Sequence, residues 1–167
     1  MTTRAARSAL GFALALTCLL AQPAVSGLLD SPPPTFSGGQ IGQVVYRMGP
    51  VYFEPGWADT VIACEHAGDQ TLEIAIELFD SSDQLTGRPA MARLDPGGRV
   101  VFVTSRAADP SGVVVEQLPK LQFGKARISA TSPRITCQAY TRARSNDGTV
   151  REVALELVKR IARDTGP

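Results

Sequence analysis

The chain has 167 residues, 44% hydrophobic and 20% charged, with a formal net charge of +1. Basic and acidic residues are interspersed and no polybasic tail is present. It therefore offers no electrostatic footprint for nucleic acid or anionic lipid.

The first 26 residues read as an export signal. Arg4 and Arg7 precede an apolar run over 9–21 that contains Leu10, Phe12, Leu14, Leu16, Leu19 and Leu20. Ala24 and Ser26 supply the small residues expected before a cleavage after Ser26. The run is shorter than the about 20 residues of a membrane span, and no later segment approaches that length. An uncleaved N-terminal anchor is the alternative. Cys18 lies inside the run with Ala15 three residues before it, where a lipoprotein signal would carry leucine. Cleavage leaves 141 residues with 15 basic and 16 acidic side chains, the size of one domain. That length buries a core without help from a metal. The expected organisation is a leader (1–26), a spacer (27–40), a folded domain (41–162) and a short tail (163–167).

The spacer contains Pro32, Pro33 and Pro34 together with Gly38 and Gly39. Prolines lack the N–H that a sheet ladder needs, so an extended segment ahead of the domain is expected. Segments 43–48 and 51–53 read as short edge strands broken at Gly49-Pro50. In segment 60–66, Ile62 and Cys64 share one face and Ala63 and Glu65 the other. Segment 71–79 alternates Leu72, Ile74, Ile76 and Leu78 against Glu73, Ala75 and Glu77. A helix also fits its spacing, but its shortness and bounding turns favour a strand. Residues 80–87 form a polar loop. Asp95-Pro96-Gly97-Gly98 has type II turn chemistry and predicts a hairpin-like reversal between 91–94 and 99–104. A second polar loop (105–112) leads to a short strand at 113–118.

Segment 125–131 places Ala126, Ile128 and Ala130 inward, with Lys125, Arg127 and Ser129 outward. In 134–140, Ile135, Cys137 and Ala139 share a face. Asp147-Gly148 is a strong hairpin turn pair. Segment 149–164 is compatible with a helix or a strand, and the preceding turn favours a strand. About eight short strands separated by turns predict an all-β fold, a single antiparallel β-sandwich.

With Cys18 removed, Cys64 and Cys137 remain, and an even count in an oxidising compartment suggests a disulfide. Two separately buried thiols are the alternative. Both cysteines are in phase with the core residues of their strands, which supports a bond between facing sheets. The early Cys64, the late Cys137 and the long interval between them resemble the inter-sheet bond of an immunoglobulin-like domain. Trp57 precedes the first cysteine, however, and Ile135 stands where that family's corner tyrosine would be. A closer resemblance is to small exported bacterial β-sandwich proteins of unassigned function, carried by segments 63–80, 94–105 and 124–140. It implies the fold and an exported location, and brings no activity with it.

Few residues point to chemistry. His66 is the sole histidine, and no Gly-x-Ser-x-Gly elbow accompanies it, so no catalytic residue is expected. Glu65, His66 and Asp69 form a weak zinc pattern, and Asp80 and Asp83 a sparse calcium one. Turn capping explains the latter pair more simply, and no metal or cofactor is expected. Glu73 and Glu77 read as a solvated face opposite Lys125, Arg127 or Arg134. Tyr46, Tyr52, Phe53 and Trp57, four of ten aromatics, cluster in a proline-rich stretch that either binds a ligand or covers one end of the core. The expectation is a non-enzymatic exported structural or interaction module, periplasmic or extracellular, without membrane insertion of the mature chain. Its partner would be an envelope or extracellular protein or a glycan. The alternative is a carbohydrate- or peptide-binding domain that uses the aromatic patch.

Overall fold

The computed structural model describes residues 31–105 and 114–159. The leader with its cleavage point, the start of the spacer, the loop at 106–112 and the C-terminal tail lie outside these residues.

The period-2 segments become ten strands: β1 (Gln43–Tyr52), β2 (Ala58–His66), β3 (Leu72–Asp80), β4 (Ala90–Leu94), β5 (Arg99–Val103), β6 (Val114–Gln117), β7 (Phe123–Ala130), β8 (Ile135–Arg144), β9 (Val150–Leu155) and β10 (Leu157–Lys159). They form two five-stranded sheets, in the orders β10-β1-β7-β3-β4 and β6-β5-β2-β8-β9. One sandwich-like core joins their inner faces. Leu72, Ile74, Ile76 and Ile128 from the first sheet meet Ile62, Cys64, Phe102 and Ile135 from the second, all essentially buried. The strand reading of 71–79 and the inward faces of 125–131 and 134–140 are as expected.

Cys64 and Cys137 are joined by a disulfide, but it does not link the two sheets. The cysteines are direct partners on the adjacent antiparallel strands β2 and β8, with Cα atoms 4.1 Å apart. The amide of Ala67 bonds to the carbonyl of Arg134, and that of Arg144 to Trp57. The alternation of the ladder therefore places Cys64 and Cys137 at a non-hydrogen-bonded site, where opposed Cα atoms approach most closely. Inward phase is shared by neighbours within one sheet as much as by residues on facing sheets. The likeness to an immunoglobulin inter-sheet bond thus does not hold for this pair.

Other expectations are also corrected. The strand-like segments either side of Gly49-Pro50 are one strand, β1, which lies between β10 and β7 and not at an edge. Its register shifts between Met48 and Val51, and a bulge there accommodates a proline that cannot donate to the ladder. The turn at Asp95 closes as expected, with Gly98 N–H bonded to Asp95 O at 2.8 Å and Gly97 at φ 73°. β4 and β5 nevertheless join different sheets, because type II geometry splays the strands it connects. By contrast, Asp147-Gly148 closes the true hairpin β8–β9. β5 and β6 are parallel, so the fold is not wholly antiparallel. A tight two-residue hairpin cannot join parallel neighbours, so these two strands are not a hairpin pair. Segment 149–159 is extended, but it leaves one sheet as β9 and enters the other as β10.

The described part of the spacer is packed on the domain. Phe36 is buried, Thr35 bridges to Ile41, and Gly42 lies so close to the Phe36 ring that a Cβ there would collide with it. Beneath this segment, on the outer face of the first sheet, Glu77 and Arg127 are direct cross-strand partners, 3% and 1% exposed. Arg127 donates Nε and Nη2 to the two Glu77 oxygens, each at 2.8 Å, and its guanidinium lies 5.2 Å from the Phe79 ring centre. Nη1 and Nη2 also donate to Ser31 O at 2.7 Å and Pro32 O at 3.0 Å. Glu73 is bonded through both oxygens to the amide and hydroxyl of Ser37. The expected partner of Glu77 is right, but the face is buried, not solvated. Proline-rich backbone donates little, yet its free carbonyls are the acceptors a buried guanidinium needs.

Candidate functional site

Between β1 and β2 the chain turns through Glu54-Pro55-Gly56-Trp57. Proline at the second position and Gly56 at φ 81° are the requirements of a type II turn, and Trp57 N–H closes it onto Glu54 O at 3.0 Å. Glu54 and Ala58 exchange two further backbone hydrogen bonds, and Trp57 O accepts from Arg144 N at 2.6 Å. The indole therefore stands on backbone held from both sides. Trp57 is 50% exposed although large and apolar.

Strand alternation places the neighbours of this indole. Thr60, Ile62 and Cys64 face the core, so Trp57 and Asp59 point to the outer face of the second sheet. Arg142 is the cross-strand partner of Asp59 on β8, and Glu152 that of Arg142 on β9; Arg144 pairs in turn with Val150. Two parallel rows result: Trp57, Arg144 and Val150, then Asp59, Arg142 and Glu152. With Phe53, Glu54 and Ser105, the residues of these rows other than Glu152 line a cleft of about 350 Å³.

Arg142 grips Asp59 through two hydrogen bonds, Nε at 3.0 Å and Nη2 at 2.6 Å, and the Ser105 hydroxyl donates to the same carboxylate. Burial by itself would raise the Asp59 carboxyl. The hydrogen bonds from Arg142 and Ser105, with the charges of Arg142 and Arg144, outweigh it and hold Asp59 below the usual carboxylate range. The Arg142 guanidinium is correspondingly held above its ordinary value, first by the Asp59 hydrogen bonds. Tyr52 donates its hydroxyl to Glu54 at 2.6 Å, which raises the Tyr52 pKa. Asp59 and Glu54 balance Arg142 and Arg144, so the immediate lining is close to neutral.

The four aromatics expected as one patch are separated. Tyr46 is buried between the sheets, and its hydroxyl donates to Ile135 O at 3.1 Å. Phe53 is largely buried in the cleft wall, with the Lys120 ammonium 5.9 Å from its ring centre. Tyr52 reaches the site through Glu54, and Trp57 alone is broadly exposed. Sequence reasoning missed Glu54, Asp59, Ser105, Arg142 and Arg144. Two signals were present: Pro55-Gly56 marks a turn that delivers Trp57 to a strand start, and Arg142 and Arg144 are two apart, hence on one strand face.

His66 is the last residue of β2. It is 2% exposed, its Nδ1 accepting from Gly68 N–H at 2.7 Å and its Nε2 lying 2.5 Å from Gln70 O. The imidazole thus organises the turn into β3. Glu65 pairs with Arg99 at 2.9 Å and Asp69 with Arg134 at 3.5 Å. Asp80 accepts from the amides of Ser82 and Gln84, and Asp83 pairs with Lys125 at 2.8 Å. Among the described residues no group of three or more His, Cys, Asp or Glu side chains is placed to hold a metal, and no helix is long and apolar enough to cross a membrane.

No protein-family model, curated protein or solved structure matches the chain.

Proposed function

We propose that this protein is an exported, non-enzymatic interaction module of the bacterial cell envelope or extracellular space. The observation that carries this reading is the engagement of its most reactive side chains in the fold itself. The sole histidine has both ring nitrogens bonded to backbone inside a turn, and the two cysteines beyond the leader are tied to each other. The leader motif and a bond typical of oxidising compartments support export.

The test is to extract the untagged protein gently from the envelope and medium of the producing cell, then measure its mass and native size. A processed chain starting at Gly27, migrating with companion chains, is the expected result. A full-length chain confined to the cytosol would overturn export. Chemical turnover that disappears in His66→Ala, with the fold retained, would overturn the non-enzymatic reading.

A second reading is specifically favoured by Trp57. A half-exposed indole on a rigid turn beside a fixed ion pair is suited to binding a ligand.

A further inference from the structure

We infer that the Trp57 cleft binds a neutral carbohydrate, with a sugar ring stacked on the indole and its hydroxyls held by Asp59, Arg142 and Arg144. This rests on the reading of the chain as a binding module and specifies what one of its sites takes.

The argument begins with the indole. A large apolar ring left half in water gains by covering, and the alternately apolar and hydroxylated faces of a pyranose suit it. The ring is also ready in advance, since the hydrogen bonds around Glu54, Trp57, Ala58 and Arg144 fix its backbone. Little ordering is then left to binding.

The polar neighbours complement hydroxyl groups. Arg142 uses Nε and Nη2 on Asp59, which leaves Nη1 able to donate. The Asp59 oxygens are acceptors, and the exposed Arg144 lies in the same row as Trp57. A sugar hydroxyl both donates and accepts, so it can satisfy both kinds of group.

Charge selects against other ligands. Glu54 and Asp59 offset Arg142 and Arg144, and Glu152 adds a further negative charge beside Arg142. A phosphate or acidic peptide would meet no net positive field. An added peptide strand has no ladder to join on β2 or β8, which are interior strands with both sides paired, and could pair only along the outer edge of β9. A volume of about 350 Å³ lies at the low end for small-ligand clefts, consistent with a short saccharide.

Trp57 is the sole tryptophan, so intrinsic fluorescence reports this cleft directly. The mature protein is titrated with maltose, cellobiose and diacetylchitobiose, with a heparin disaccharide and an acidic hexapeptide as comparators. The expected result is a saturable emission change with at least one neutral sugar. Calorimetry should show that binding is abolished in Trp57→Ala and weakened at least tenfold in Arg144→Ala, both variants unfolding cooperatively. The proposal is overturned by a response confined to the charged probes, by no response to any of the sugars, or by sugar binding that survives Trp57→Ala. A companion protein still retained by Trp57→Ala would leave the interaction-module reading standing while the sugar site falls. Release of new reducing ends on incubation would do the reverse.

Discussion

Glu77 and Arg127 face each other across β3 and β7 through two hydrogen bonds of 2.8 Å, and the N-terminal segment closes over both. The pair is withdrawn from water and doubly hydrogen-bonded, so removing one partner is far more costly than removing both. Glu77→Gln should destabilise the fold by about 3–5 kcal/mol, because it leaves a buried guanidinium without its counter-charge. The double variant Glu77→Leu/Arg127→Met should recover much of that loss. Urea unfolding of the three proteins checks this, and equal destabilisation in the single and double variants would refute it. Arg127→Met should also release the segment around Ser31 and Pro32, read as faster proteolysis there.

The disulfide closes a loop of 73 residues, worth on the order of 4 kcal/mol in the chain-entropy model. It pins neighbouring strands of one sheet and leaves the contact between sheets to side-chain packing. The Cys64→Ser/Cys137→Ser variant should therefore keep its β-sheet circular dichroism while losing up to about that much stability. Mass measurement after alkylation without reductant should find neither thiol free in the exported protein.

Asp59 contributes to acid stability with a defined sign. Its folded-state pKa is lowered, so the unfolded chain takes up its proton first, near pH 4. The stabilisation is fully present above that value and is lost as pH falls through the folded pKa. Asp59→Asn should lose less stability than the parent between pH 4 and lower values, read as melting temperature against pH. Asp147, also lowered and chiefly by the Thr149 amide, is present in both proteins, so its contribution cancels in the comparison.

His66→Ala should unfold more easily by about 1–3 kcal/mol, because Gly68 N–H and Gln70 O lose a buried partner. Ligand binding at Trp57 should be unchanged. The seven residue steps from Asp59 to His66 span roughly 23 Å of strand, so the turn and the cleft occupy opposite ends of β2.

By itself the sequence determined the strands and their faces. Leu72, Ile74, Ile76 and Leu78 alternate with Glu73, Ala75 and Glu77, and Ile135, Cys137 and Ala139 recur at period 2. Backbone pleating converts that period directly into an inner and an outer face, and Asp147-Gly148 supplies a turn whose twist suits a hairpin. What alternation cannot encode is which strand lies beside which. Tertiary structure alone decided that Cys64 meets Cys137 within a sheet, that β6 runs parallel to β5, and that the chain changes sheet between Leu155 and Leu157. It also decided the cleft, since Asp59 and Arg142 are 83 residues apart and meet only through the register of β2 and β8. Facing is a property of one strand's own geometry, whereas pairing depends on two distant segments and on how well their shared surface packs.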